Sequence, residues 1–244
     1  MSAPLPAPEL RPLGVDGVLV RFAATLTEAA NQRALAFRDQ VNAMNLPGVT
    51  EVASSLVSVR VGFDPAQTAR QTVVDALQTA CARLDDAVTA PKRRWDIPVA
   101  FGPDHAPQLT EAAALAGVTP EQAVTEIEAQ ILRVIAIGFA PGQPYLGMLP
   151  PHWDIPRQTS LTAQMPNGAL VAAVRQLIIF AADAPTGWRH IGQTAFRVYR
   201  PDSDTPFPLS PGDAVRFRAV SDSEYVALRQ NTDTNGGARC TVLS

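Results

Sequence analysis

Apolar and polar positions along the first third of the chain alternate between the two regular periods. Residues 17–22 place Val18, Val20 and Phe22 on one face of a strand. Thr25 and Glu28 have the spacing of a capping box. A helix follows, with Ala30, Ala34, Phe37, Val41 and Met44 recurring every three or four residues until Pro47-Gly48 ends it. A short strand at 50–53 leads to another at 56–63, where Val57, Val59, Val61 and Phe63 share a face. Asp64, Pro65 and Gln67 read as the next helix start, ahead of the stripe Ala69, Val73, Ala76, Leu77, Ala80 and Leu84. The order β-α-β-β-α predicts two helices on one face of an antiparallel sheet, a ferredoxin-like arrangement. Pro91-Lys92-Arg93-Arg94 reads as a linker with a solvated basic face.

The second part changes texture. A strand is expected at 95–101 and a helix at 105–116 that stops at Gly117. A second helix starts on Thr119-Pro120-Glu121-Gln122, and a nearly all-apolar buried strand follows at 131–137. Beyond Gly138, Pro and Gly punctuate short apolar runs at 169–174, 176–182, 188–191, 195–199 and 214–220. Such spacing predicts a compact β-barrel or sandwich. Residues 229–244 are polar and contain glycines, and read as a mobile tail. The expected division is 1–91, 92–228 and a tail at 229–244, in the α+β class.

Composition narrows the function. Apolar residues make up 46% and charged residues 18%, a globular balance, and the formal charge of −3 gives no broad attraction to nucleic acid or anionic lipid. The helix pair around Gly117 has the outline of a helix-turn-helix. Its second helix, however, carries Glu121, Glu126 and Glu128, which repel phosphates. Cys81 and Cys240 form neither a disulfide framework nor a zinc spacing, so a reducing compartment is expected. The Pro-rich start lacks the apolar stretch of a signal peptide, and no apolar run reaches the roughly 18 residues of a membrane span. The expectation is a cytoplasmic protein with no membrane partner. His105, His152 and His190 are scattered without ligand spacing, so no metal is expected, and neither a Gly-x-Ser-x-Gly elbow nor a Walker A loop is present.

The informative segment is Gly138-Phe139-Ala140-Pro141-Gly142-Gln143-Pro144-Tyr145-Leu146-Gly147-Met148-Leu149-Pro150, directly after the buried strand. Glycines admit close approach of a ligand or another backbone, and Tyr145 offers a ring with a polar tip. Arg157, a few residues on, can clamp a carboxylate or phosphate with two parallel hydrogen bonds. The residues alone are equally compatible with a stiff barrel corner. The segment nevertheless resembles the Gly-Phe-x-Pro-Gly-Phe-x-Tyr-Leu-Gly-Gly-Leu-Pro hallmark of one family. That family comprises the 5-oxoprolinase B-type subunits, also called allophanate hydrolase subunit 1, and includes a Kip-type sporulation kinase inhibitor. Pro156-Arg157, Pro166-Asn167-Gly168, Gln176, Thr186-Gly187-Trp188, Ile191-Gly192-Gln193-Thr194 and 211–217 continue the likeness in register, and Gly102-Pro103-Asp104 extends it upstream.

The resemblance implies a ferredoxin-like N-terminal domain and a cyclophilin-like β-barrel. It implies a C-type partner, also called allophanate hydrolase subunit 2. With an A-type partner as well, it implies ATP-dependent opening of 5-oxoproline to glutamate. ATP would be used by the complex, since none is evident for this chain. The site it implies is lined by Pro141, Gly142, Tyr145, Arg157 and Gln176. Arg157 would hold an acidic group of a small amide substrate, Gln176 would orient it, and no catalytic residue is assigned. The chain departs from the family pattern at Gln143 and Met148. Ile127 stands for a His, Leu132 for a Tyr, Leu161-Thr162 for a Pro-Arg pair, and 174–178 for a Gly-rich loop. These changes imply an altered site on an intact fold. The other function in view is a non-catalytic regulatory module.

Overall fold

A computed structural model of the chain describes residues 6–84 and 90–243. Residues 1–5, which open the Pro-rich stretch, lie outside the described residues, as do 85–89 and 244. Two compact units meet in sequence between Ala90 and Pro91.

The first unit runs β1 (Glu9–Leu13), β2 (Gly17–Arg21), α1 (Glu28–Met44), β3 (Val49–Ser55), β4 (Ser58–Phe63) and α2 (Arg70–Ala82). Its described strands form one antiparallel sheet in the order β1-β2-β4-β3. Val18, Val20, Val59, Val61 and Phe63 turn alternate positions toward Ala34, Phe37, Val41, Val73 and Leu77 of the helices. Burying each large side chain contributes about 1.5–3 kcal/mol. β1 was hidden in the sequence by its prolines. An edge strand tolerates Pro12, because one of its sides has no ladder to donate to.

Two helix starts differ from the sequence expectation. Thr27, not Thr25, caps α1, its hydroxyl accepting the Ala30 N–H at 3.2 Å. The Asp64 carboxylate closes an isolated turn by accepting the Ala66 N–H and the Gln67 amide. α2 begins only at Arg70, whose guanidinium is tied to the Gly17 and Gly14 carbonyls at 2.6 and 2.8 Å.

The second unit begins with β5 (Arg93–Ala100), α3 (Leu109–Ala116), α4 (Pro120–Ala129), β6 (Leu132–Ile137) and β7 (Pro144–Gly147). A 3-10 turn at Pro151–Trp153 precedes β8 (Thr162–Met165), β9 (Ala169–Ala173), β10 (Gln176–Ile179), β11 (Ala184–Thr186) and β12 (Arg189–Gln193). β13 (Ala214–Val220), α5 (Asp222–Gln230) and β14 (Arg239–Val242) complete it. Seven strands close a barrel in the order β12-β9-β10-β7-β6-β13-β5, sealed where Gln193 of β12 meets Ala100 of β5. β5 and β13 run parallel, from Ala214 opposite Arg94 to Val220 opposite Ala100. Ile97, Val134, Leu146, Leu177, Ile191 and Phe217 belong to one core, to which α3 and α4 add Ala112, Ala113 and Ile127. Alternate residues Val171, Ala173 and Ile178 face a second cluster with Met165, Phe180 and Trp188. No described helix is long and apolar enough to cross a membrane.

Two sequence expectations fail here. Arg93 is not part of a solvated linker. It opens β5 and holds the buried Asp213 carboxylate with two bonds, at 3.0 and 2.6 Å. Nor is 229–244 a free tail. It supplies the end of α5 and then β14, which pairs antiparallel with β5 from Arg239–Asp96 to Val242–Arg93. All four β14 residues are exposed, so main-chain hydrogen bonding holds the strand and no apolar alternation marks it.

α4 is joined to the 3-10 turn by Glu126, which accepts from the Trp153 indole at 2.8 Å and bonds His152 at 2.7 Å. Burial alone would raise the Glu126 carboxyl, but these two hydrogen bonds outweigh it and hold it below the ordinary value of 4.5. A carboxyl depressed by folding stabilises above its unfolded pKa and loses that contribution as pH falls through the folded pKa. Glu126→Gln is therefore expected to cost about 1 kcal/mol at neutral pH. The loss should shrink below pH 4.5, measured as urea midpoints across pH; a pH-independent difference would refute the latch.

Candidate functional site

The outer face of β7 and β10 sets the floor of a cleft. Tyr145 lies directly opposite Ile178 in that pair. Gly138 and Gln143 close the preceding turn by backbone bonding, and the buried Gln143 side chain accepts the Ala181 N–H at 3.3 Å. Across from this floor runs a strap, residues 148–158, that the β9–β10 hairpin holds in place. Val174 and Arg175 form the two-residue tip of that hairpin with φ of 45° and 62°. The left-handed region costs a non-glycine residue about 1–2 kcal/mol. Main-chain bonds offset the strain: Val174 N–H to Ile155 O at 2.8 Å, Arg175 N–H to Trp153 O at 3.1 Å and Leu149 N–H to Arg175 O at 2.8 Å. The Arg175 guanidinium adds a bond to the Leu149 carbonyl at 2.9 Å.

The same strap is pinned on both sides of Arg157. The Pro156 carbonyl accepts from the buried Arg189, which is itself paired to Glu111 at 2.9 Å. Gln158 donates its N–H to Gly187 O at 2.7 Å and its side-chain amide to Trp188 O at 2.9 Å. This fixes the Arg157 backbone beside Trp188, and the guanidinium carbon sits 5.4 Å from that ring's centroid. Tyr145 meets the same indole edge-on at 6.3 Å. Apart from this stacking, the exposed Arg157 guanidinium has neither a hydrogen bond nor an ion pair among the described residues.

Between these groups lies a cleft of about 210 Å³. Ile178 and Phe180 line it below, and Thr186, Gly187 and Trp188 form one wall. Phe139 and Leu161 stand at its rim, 74% and 70% exposed. Phe139 holds a φ of 72°, a left-handed backbone for an aromatic residue that turns out to solvent. The ionisable side chains lining the cleft among the described residues are Tyr145 and Arg157 alone. It is lined by a guanidinium and a phenol and, among the described residues, by no carboxylate, imidazole, thiol or amine.

Of the five residues expected to line one site, Tyr145 and Arg157 share this cleft, and the other three do not line it. Gly142 is buried with φ 73°, and a Cβ there would run into the Val198 carbonyl, so its missing side chain serves packing. Pro141 is exposed at the turn beside it. Gln176 pairs with Gly147, two residues along β10 from Ile178, beyond the lining residues. Sequence reasoning left out Trp188, the surface on which both cleft residues rest; the Thr186-Gly187-Trp188 run was its signal.

Residues 8–209 match the carboxyltransferase domain, subdomain C and D. The chain belongs to that family. It is similar to the 5-oxoprolinase B-type subunit of Bacillus subtilis (strain 168), 25% identical over 235 residues that cover 92% of this chain and 98% of that protein. It is also similar to the 5-oxoprolinase B-type subunit of Escherichia coli O157:H7, 28% identical over 206 residues, 84% and 93% of the two chains. Among solved structures it resembles TTHA0988, with a TM-score of 0.73 and 29% identity, over 87% of this chain but 40% of that one. The K. lactis urea amidolyase is alike in fold, with a TM-score of 0.76 at 17% identity, over 97% of this chain and 16% of that one.

The departures from the family pattern now have places. Ile127 and Leu132 are buried in the barrel core and line no part of the cleft. Leu161, where the pattern has Pro, puts an apolar group on the rim. Trp188 and Arg157 are expected to separate cleanly in stability. Trp188 is 5% exposed, and Trp188→Ala should cost about 3–5 kcal/mol. Arg157→Ala should stay within about 0.5 kcal/mol, as for an exposed side chain that stabilises nothing. Urea unfolding of the two variants checks this, and a large loss in Arg157→Ala would make it a structural residue.

Proposed function

We propose that the chain is the substrate-holding subunit of a hetero-oligomeric amide or lactam hydrolase, most closely of the 5-oxoprolinase type, in which ATP-dependent ring opening gives glutamate. The observation that carries this is the cleft beneath Trp188, where a guanidinium with no hydrogen bond or ion pair among the described residues faces a space lined by no carboxylate, imidazole, thiol or amine. Arg157 takes the carboxylate of a small acidic amide with paired charge-assisted bonds. The Tyr145 hydroxyl reaches the ring amide, and Ile178 and Phe180 pack under its methylenes. Proton transfer and ATP use are assigned to C-type and A-type partner subunits, which would supply the carboxylate or imidazole that the cleft lining lacks among the described residues. Phe139 and Leu161, apolar and solvent-facing at the rim, are the surface such a partner covers. The reading also takes the first unit as a ferredoxin-like variant, with its edge strand supplied by the N-terminal hairpin. It takes the barrel as cyclophilin-like and the complex as cytoplasmic.

A second reading, a non-catalytic regulatory module, draws on the same lack of carboxylate, imidazole, thiol and amine among the described lining residues. The two diverge in the reconstituted complex. With its cognate subunits, 5-oxoproline and ATP, the hydrolase reading expects turnover, and Arg157→Ala should raise KM roughly ten- to hundredfold. No turnover by the complete complex rejects it in favour of the regulator; turnover with an unchanged KM in the variant rejects Arg157 as the residue that holds the substrate.

A further inference from the structure

A larger cavity lies apart from the cleft and shares no lining residue with it. It encloses about 380 Å³, within the range of small-molecule sites. One wall is the segment after β12, the other the end of α5 and the loop that follows. The Arg197 N–H bonds the Thr234 carbonyl at 3.0 Å and joins the two walls. Gly236 is pressed so close to Ala195 that a Cβ would collide with that backbone.

Charges of both signs line the cavity. The exposed Arg197 guanidinium has no hydrogen bond or ion pair among the described residues. Arg229 donates to the Tyr225 hydroxyl at 3.2 Å and is bonded to no carboxylate among the described residues. Asp233 lines the same cavity; one of its oxygens accepts the Asn235 N–H at 2.8 Å, and its charge is also felt by Arg200, which is outside the lining. The last carbonyls of α5 lack intrahelical partners and carry the negative end of its dipole. Phe196 and Leu228 give the same cavity an apolar wall. A simple anion would meet Asp233 and the helix end unfavourably, and a simple cation would meet two arginines. A zwitterion with an apolar body satisfies both.

We infer that this cavity binds a free apolar α-amino acid. Arg197 and Arg229 hold its carboxylate, Asp233 and the end of α5 hold its ammonium, and its side chain lies against Phe196 and Leu228. The test is isothermal titration of the full chain with L-leucine and with 4-methyl-2-oxopentanoate, which lacks the ammonium. L-Leucine should bind saturably and at least tenfold more tightly than the oxo acid. Arg197→Ala and Arg229→Ala should each weaken it about tenfold or more. Asp233→Asn, which keeps the oxygen that accepts from Asn235, should erase the preference for the amino acid, while Arg157→Ala in the cleft should change nothing. Absence of saturable L-leucine binding, equal affinity for the oxo acid, or insensitivity to Arg197→Ala overturns the assignment. Loss of binding in Arg157→Ala would move the ligand to the cleft and overturn it equally.

Discussion

The parallel pairing of β5 with β13 is the constraint from which the second unit follows. The Arg93–Asp213 clamp at its start joins residues 120 apart in sequence, so the ring strands β6, β7, β9, β10 and β12 must all be fitted in between. Closing so long a loop costs chain entropy that local contacts cannot offset before the clamp forms. Paired and hydrogen-bonded, the buried Asp213 carboxylate favours closure; unpaired, it would oppose it. Once the ring is shut, the interior is filled by one set of alternate residues. The other set on β7, β9 and β10 needs a cover. β8 and β11, which pair antiparallel as a separate two-stranded ribbon, supply it together with Trp188, and the cleft is the part they leave open.

In the proposed function the cleft serves recognition. A pre-positioned guanidinium stacked on an indole keeps its planar fork ready for an anion, with little entropy left to lose on binding. The strained hairpin tip at Val174 and Arg175 fits the same logic. Its main-chain bonds hold the strap, the strap holds the Arg157 backbone, and the side chain that results has no hydrogen bond or ion pair among the described residues. Local strain retained next to a binding surface is common where geometry matters more than stability.

The sequence exposed this architecture unevenly, for physical reasons. Strands with an alternating buried face, such as β2 and β4, were plain, as was the Thr119–Gln122 capping box that starts α4. β14 was not, since four exposed residues joined to β5 by backbone alone leave no periodic trace. β1 was masked by proline, and Asp64 imitated a helix start while capping a turn. At the site, Tyr145 and Arg157 stood out by residue type and spacing. Their meeting on Trp188 depends on the bend between β11 and β12, 30 residues from Gln158, and such convergence is written in tertiary contacts. Gly142 misled because a glycine kept for close packing and one kept for ligand approach look alike in a sequence.

Central to this account is a cleft that binds but is lined by no carboxylate, imidazole, thiol or amine among the described residues. The direct measurement is 5-oxoproline added to the isolated chain, with binding followed by calorimetry and glutamate formation by chromatography. Saturable binding that requires Arg157, with no glutamate formed, is the result the account predicts. Glutamate produced by the isolated chain, or no binding at all, would contradict it.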